Sequence, residues 1–203
     1  MFDLARRPVP NGTRHLQFRE GEITNARTGK NPRAGRWPAM SKTSTARQLL
    51  IVALQDLHDA ERAWGERGPG IAGAAGPKVK TFLERDLATA AKQQARLKAM
   101  LEGLGAPLEG DPNIWLRAIL DDAERDIESN AFGPVRDTAL TGALRKGKQA
   151  ERVSYETAIA LAEALSRDAD GKALGGSRDE EASADEALAA LLAPLTQAAA
   201  RLG

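Results

Sequence analysis

Apolar residues recur every three or four positions over four long stretches of this chain, the period of an α-helix that buries one stripe. Leu50, Ala53, Leu54, Leu57, Glu61 and Trp64 share the first stripe and predict a helix over about 45–66, with Ser44 or Thr45 as its cap. "GERGPGIAGAAGPK" reads as its break. A second helix is predicted from 78 to about 103, with Leu83, Ala90, Leu97, Met100, Leu101 and Leu104 inward, ended by "GLGAPLEGDP". A shorter one follows, capped by Asp111 with Pro112 in its first turn and Trp115, Ile119, Ala123 and Ile127 inward.

After "NAFGP", a third long helix runs over about 135–166 through Leu140, Leu144, Tyr155, Ala158, Ala162 and Leu165. "DADGKALGGS" reads as a turn, and a fourth long helix spans about 177–202 with Ala184, Leu188, Leu191, Leu192 and Leu195 inward. Four long helices and one short one predict an all-α, antiparallel four-helix bundle.

Composition narrows the chemistry. With 203 residues and no cysteine, the chain suits one domain without disulfides, thiolate metal sites or cysteine nucleophiles. His15 and His58 are its two histidines, too few for a serine–histidine–acid triad, and the glycine-rich segment lacks the Gly-Lys-Ser/Thr ending of a phosphate loop. No stretch approaches the ~18 uninterrupted apolar residues of a membrane span and no secretory signal is seen, so a cytoplasmic protein is expected.

Charge divides the chain. Residues 1–47 hold ten Lys and Arg against three acids, although the whole chain is close to neutral at +1. Residues 1–44 are therefore expected to form a basic, mostly disordered extension preceding the domain at 45–203, able to meet nucleic acid or an acidic partner. "MSKTSTARQLL" at Met40 also resembles a start of translation, an alternative to Met1.

Each apolar seam is interrupted by ionisable groups: His58 and Glu61, Asp86, Lys148 with Glu151, and Glu181 with Asp185. Residues three or four apart share a helix face, so these can act in pairs. An unpaired buried charge costs several kcal/mol, so four such seams imply mutual neutralisation. Either a carboxylate-bridged pair of iron or manganese ions or a salt-bridge network centred on Lys148 would supply it.

"LLIVALQDLHDAERAW", "QQARLKAMLEGLGAP", "RDTALTGALRKGKQAERVSYETAIALAEAL" and "DEEASADEALAALL", in this order over about 45–195, resemble the ferritin-like YciE/YciF-type family of bacterial stress-associated proteins. The resemblance implies a ferritin-like bundle, often a homodimer, with acidic and histidine positions suited to a di-iron site. Glu61 matches a family glutamate. Where relatives resemble His-x-x-Glu-Thr-x-x-Gln, this chain has Asp86, Thr89, Ala90 and Gln93. Where they resemble Glu-His-Tyr-Glu, it has Lys148, Gln149, Ala150 and Glu151, while the last helix keeps Glu180, Glu181 and Asp185.

Lys148 thus stands where the resemblance places a glutamate, and a protonated ammonium is not a metal ligand. The expected centre is a degenerate, metal-free one in which Lys148 bridges Glu61, Glu151 and Glu181, in a structural or interaction module rather than an enzyme. The alternatives are a residual iron or manganese protein using Glu61, Asp86, Glu151, Glu181, Asp185 and His58, with peroxide or oxygen chemistry, and a dimeric scaffold that presents the basic arm.

Overall fold

A computed structural model describes residues 42–202, and the basic extension expected over 1–44 lies, up to residue 41, outside them. Five helices follow in order: α1 (Ala46–Ala74), α2 (Pro77–Gly103), α3 (Ile114–Ser129), α4 (Pro134–Ala164) and α5 (Asp168–Ala199). α1 and α2 form one hairpin, α4 and α5 the other. α1 lies against α4 and α2 against α5, while α3 crosses outside on α1 and α4. This is the four-helix bundle with one additional short helix that the periodicity predicts, and it agrees with the ferritin-like bundle that the resemblance implies. Among the described residues no helix is long and apolar enough to cross a membrane.

The caps explain most boundaries. Thr45 accepts from the Gln48 amide while the Gln48 side chain returns to the Thr45 amide, a reciprocal cap that starts α1. Pro77 and Pro134 open α2 and α4, where a missing N–H costs nothing. Asp137 of α4 accepts from the Gly76 amide at 2.8 Å, and a Cβ on Gly76 would stand 2.3 Å from that carboxylate. Glycine at 76 is what lets α4 cap the start of α2.

Three boundaries differ from the periodic reading. α1 does not stop near residue 66 but continues through Pro69 to Ala74. Pro69 is exposed and forfeits one backbone bond, while Ile71 and Ala72 beyond it are buried and hold the extra turn to the core. Gly68 permits close packing there, since a Cβ would come within 2.6 Å of Leu87.

α5 likewise starts at Asp168 rather than 177, because buried Leu174 anchors the glycine-rich segment as helix. Finally, Asn113 rather than Asp111 caps α3, and the buried face is Leu116, Leu120 and Ala123, with Trp115, Ile119 and Ile127 only half-buried. The Asp59 carboxylate and the Asp56 carbonyl of α1, which both accept from Asn113, set this phase.

Buried apolar residues form two clusters. One holds Trp64, Ile71, Val79, Leu83, Leu116, Leu120, Leu140 and Leu188. The other holds Leu50, Leu54, Leu57, Leu97, Leu101, Tyr155, Ala158 and Leu174. A layer of polar and charged side chains falls between them.

Candidate functional site

That layer is built by one to three residues from each bundle helix. Lys148 of α4, 5% exposed, extends its ammonium into the middle of the bundle. Its Nζ lies 3.0 Å from Asp86 Oδ2 of α2, 3.2 Å from Glu151 Oε2 one turn along α4, and 2.9 Å from Glu181 Oε2 of α5. Glu61 of α1 completes the ring of acids without reaching Nζ directly. All four acids are buried, Glu61, Glu151 and Glu181 to within 2% of complete burial.

Uncharged donors fill the remaining positions. Trp64 Nε1 donates to Asp86 Oδ2 at 2.9 Å, and Tyr155, the single tyrosine of the chain, donates its hydroxyl to Glu61 Oε1 at 2.8 Å. Gln93 Nε2 donates to Glu181 Oε1 at 2.9 Å. Glu61 Oε2, Glu151 Oε1 and Gln93 Oε1 are left buried with no hydrogen-bond partner.

Four carboxylates against one ammonium is an excess of acid that burial cannot support, so protonation equilibria shift. Burial and the Glu181 charge push the Glu61 carboxyl up to about 8, against the pull of Lys148 and Tyr155. Burial and Glu181 drive Glu151 well above the carboxylate range, and burial raises Asp86 although Lys148 opposes it. Glu181 goes the other way: burial would raise it, but Lys148 and hydrogen bonds from Glu151, Lys148 and Gln93 hold it below its usual value. Lys148 itself is raised well above its ordinary range, since Asp86, Glu151, Glu181 and Glu61 outweigh the cost of burying the ammonium.

Two residues expected at this centre lie elsewhere. His58 is half-buried beside Asp59, Arg62, Glu109 and Pro112 under the α2–α3 loop, with its pKa lowered by burial and by Arg62. At three residues' spacing His58 stands only about 60° around α1 from Glu61, and that offset places its ring at the α2–α3 loop while Glu61 is buried in the bundle. Asp185 is engaged by Arg145 at 2.6 Å and by Gln149 at 3.2 Å on the α4–α5 flank, and the Arg145 bond lowers its pKa. Glu180 is held by Arg96 at 2.6 Å, also outside the centre.

Trp64, Tyr155 and Gln93 are partners that periodicity alone did not assign. The first two read as apolar anchors, and their polar tips become visible as ligands of acids only once the helices are docked.

Iron or manganese in a ferritin-like bundle needs several carboxylate oxygens converging on the same empty point. Here the point on which Asp86, Glu151 and Glu181 converge holds Lys148 Nζ. Among the described residues no group of three or more histidines, aspartates and glutamates is arranged to hold a metal ion. The donor set as folded therefore does not suit a carboxylate-bridged metal pair.

None of the curated proteins matches this chain. Solved structures do, two of them as follows. The stress protein YciF of E. coli is 25% identical, with a TM-score of 0.73 over 76% of this chain and 99% of that one. YcfI of Rhodopseudomonas palustris, to which a structural role has been ascribed, is 25% identical with a TM-score of 0.68, over 71% of this chain and 93% of that one. Residues 45–201 match the family model described as a domain of unknown function, DUF892. On that match and these structural likenesses, the chain belongs to the DUF892 family of YciF-like ferritin-like proteins.

Proposed function

We propose that this protein is a stress-associated, ferritin-like structural or interaction module whose buried centre is held by Lys148 in place of a metal. The observation that carries the reading is the position of Lys148 Nζ, 2.9–3.2 Å from carboxylates of three helices. One protonated amine there offsets part of the charge that a metal pair would otherwise neutralise, protonation of the raised acids offsets the rest, and the three N–H donors of the amine match three acceptors. The stress association rests on the likeness to E. coli YciF. A cytoplasmic homodimer is the assembly proposed, with the basic arm over 1–44 available to an acidic partner or nucleic acid.

Metal content after purification without chelator and incubation with ferrous iron or manganese tests the centre. Wild-type protein is expected to hold no stoichiometric metal. About two ions per chain, lost in Glu61→Ala, would replace this reading with a di-metal protein. Binding to nucleic acid that weakens steeply with salt, and is abolished by deleting residues 1–39, would instead make the arm the working part.

A further inference from the structure

The wall between α2 and α5 holds an open groove of about 500 Å³, within the size range of small-ligand sites. Its lining sets apolar Phe82 of α2 and Ala184 and Ala187 of α5 beside the charged Arg85, Asp86, Asp179 and Glu180. Thr89 turns its hydroxyl back to the Arg85 carbonyl at 3.3 Å and leaves the middle of the groove unfilled.

At one point the groove touches the buried centre. Asp86 lines it, although this residue is only 7% exposed. Its Oδ2 is engaged by Trp64 and Lys148, while Oδ1 accepts no hydrogen bond among the described residues. Behind Asp86 stand three more carboxylates and one ammonium. Asp179 and Glu180 add acid to the rim, each already paired with an arginine, and Arg85 is the one cation of the lining. An acidic acceptor that takes no hydrogen bond on one oxygen, beside apolar surface, fits a ligand with a cationic head and a short apolar tail.

We propose that the α2–α5 groove binds a small primary alkylammonium compound, its ammonium on Asp86 Oδ1 and its hydrocarbon along Phe82, Ala184 and Ala187. The ammonium gains a charge-assisted hydrogen bond on the Asp86 oxygen that accepts none from the described residues. The tail covers apolar surface that the small residues of α5 leave open. Arg85, being exposed, can swing to solvent as the cation enters.

Titrating the full chain with n-butylamine, n-butanol and butyrate, with chemical shifts of Phe82 and Ala184 as readout, tests this directly. Saturable binding of the amine is expected, about tenfold or more tighter than the alcohol, with no binding of the carboxylate. Ala184→Leu, which fills the trough away from Lys148, should abolish binding in a folded protein. Asp86→Asn should erase the preference for the amine over the alcohol. Equal binding of amine and alcohol, or amine binding unchanged in Ala184→Leu, would overturn the proposal. So would absence of binding, or a clear preference for lysine within a peptide over the free amine. Metal content of the protein is not at issue in any arm, so this site stands or falls apart from the Lys148 reading.

Discussion

Two buried acids sit two residues apart on α1 and meet opposite fates. Asp59 accepts from the Asn113 amide at 2.8 Å and from Arg117 at 2.9 Å, and Arg62 pairs with it as well. Burial would raise its pKa, but the Asn113 amide and the two arginines outweigh that and hold it below the usual range. Glu61 has a single hydrogen bond, from Tyr155, and is pushed up to about 8. The difference is one of depth and of donors together: Glu61 is the more completely buried and has the fewer donors. Asp59 meets donors from α3 and its preceding loop, whereas Glu61 shares one cation with three other acids.

If the central layer is short of cations, removing Lys148 should have the largest effect. Lys148→Ala is expected to destabilise the fold by about 3–5 kcal/mol in urea denaturation, because it strands several buried acids. A change within about 0.5 kcal/mol would erase the contrast with Asp59.

Asp59→Ala should cost less, about 1–3 kcal/mol, since it unpairs the Asn113 amide but leaves its arginines able to reach water. The loss should concentrate in α3, as faster hydrogen exchange over residues 114–129. Uniform loss over the bundle would show that Asp59 serves the whole core rather than one docking point.

The two acids also predict opposite responses to pH. Glu61 is raised from an ordinary 4.5 to about 8, so the folded state holds a proton that the unfolded chain releases. Its contribution is complete below about pH 4.5 and is lost as pH rises toward 8. Stability in that window should therefore fall by up to about 1.4 kcal/mol per pH unit, and Glu61→Gln should flatten the slope. Asp59, being lowered, contributes above its unfolded pKa and loses that contribution only as pH falls through its folded one. A stability profile that rises from pH 5 to 8 in the wild type would contradict the proton count at Glu61.

Asp185→Ala should have the smallest effect, below about 1 kcal/mol, because its pairing with Arg145 lies on the flank of the bundle.

The bundle and most of its centre were legible in the sequence, and for a physical reason. Interruptions of a strong apolar period stand out, so Glu61, Asp86, Lys148, Glu151 and Glu181 mark the layer where the helices meet. His58 and Asp185 carry the same pattern, but the α2–α3 loop beside His58 and the Arg145 that takes Asp185 are distant in sequence. Gly68, Pro69 and Gly70 read as a helix break because propensity is local, while the burial of Ile71 and Ala72 that overrides it is tertiary. The one-residue phase shift of α3 has the same origin, in Asp56 and Asp59 of α1 gripping Asn113 and Trp115.

The polar layer also works as an alignment key. Sliding one helix by a turn, about 5.4 Å, would drive a charged head into hydrocarbon on one side and leave its partners bare on the other. Leucine- and alanine-rich seams alone tolerate such slips, because every step offers much the same contacts. With the key in place, each apolar half becomes a separate packing problem that can accumulate substitutions without disturbing the register of the other.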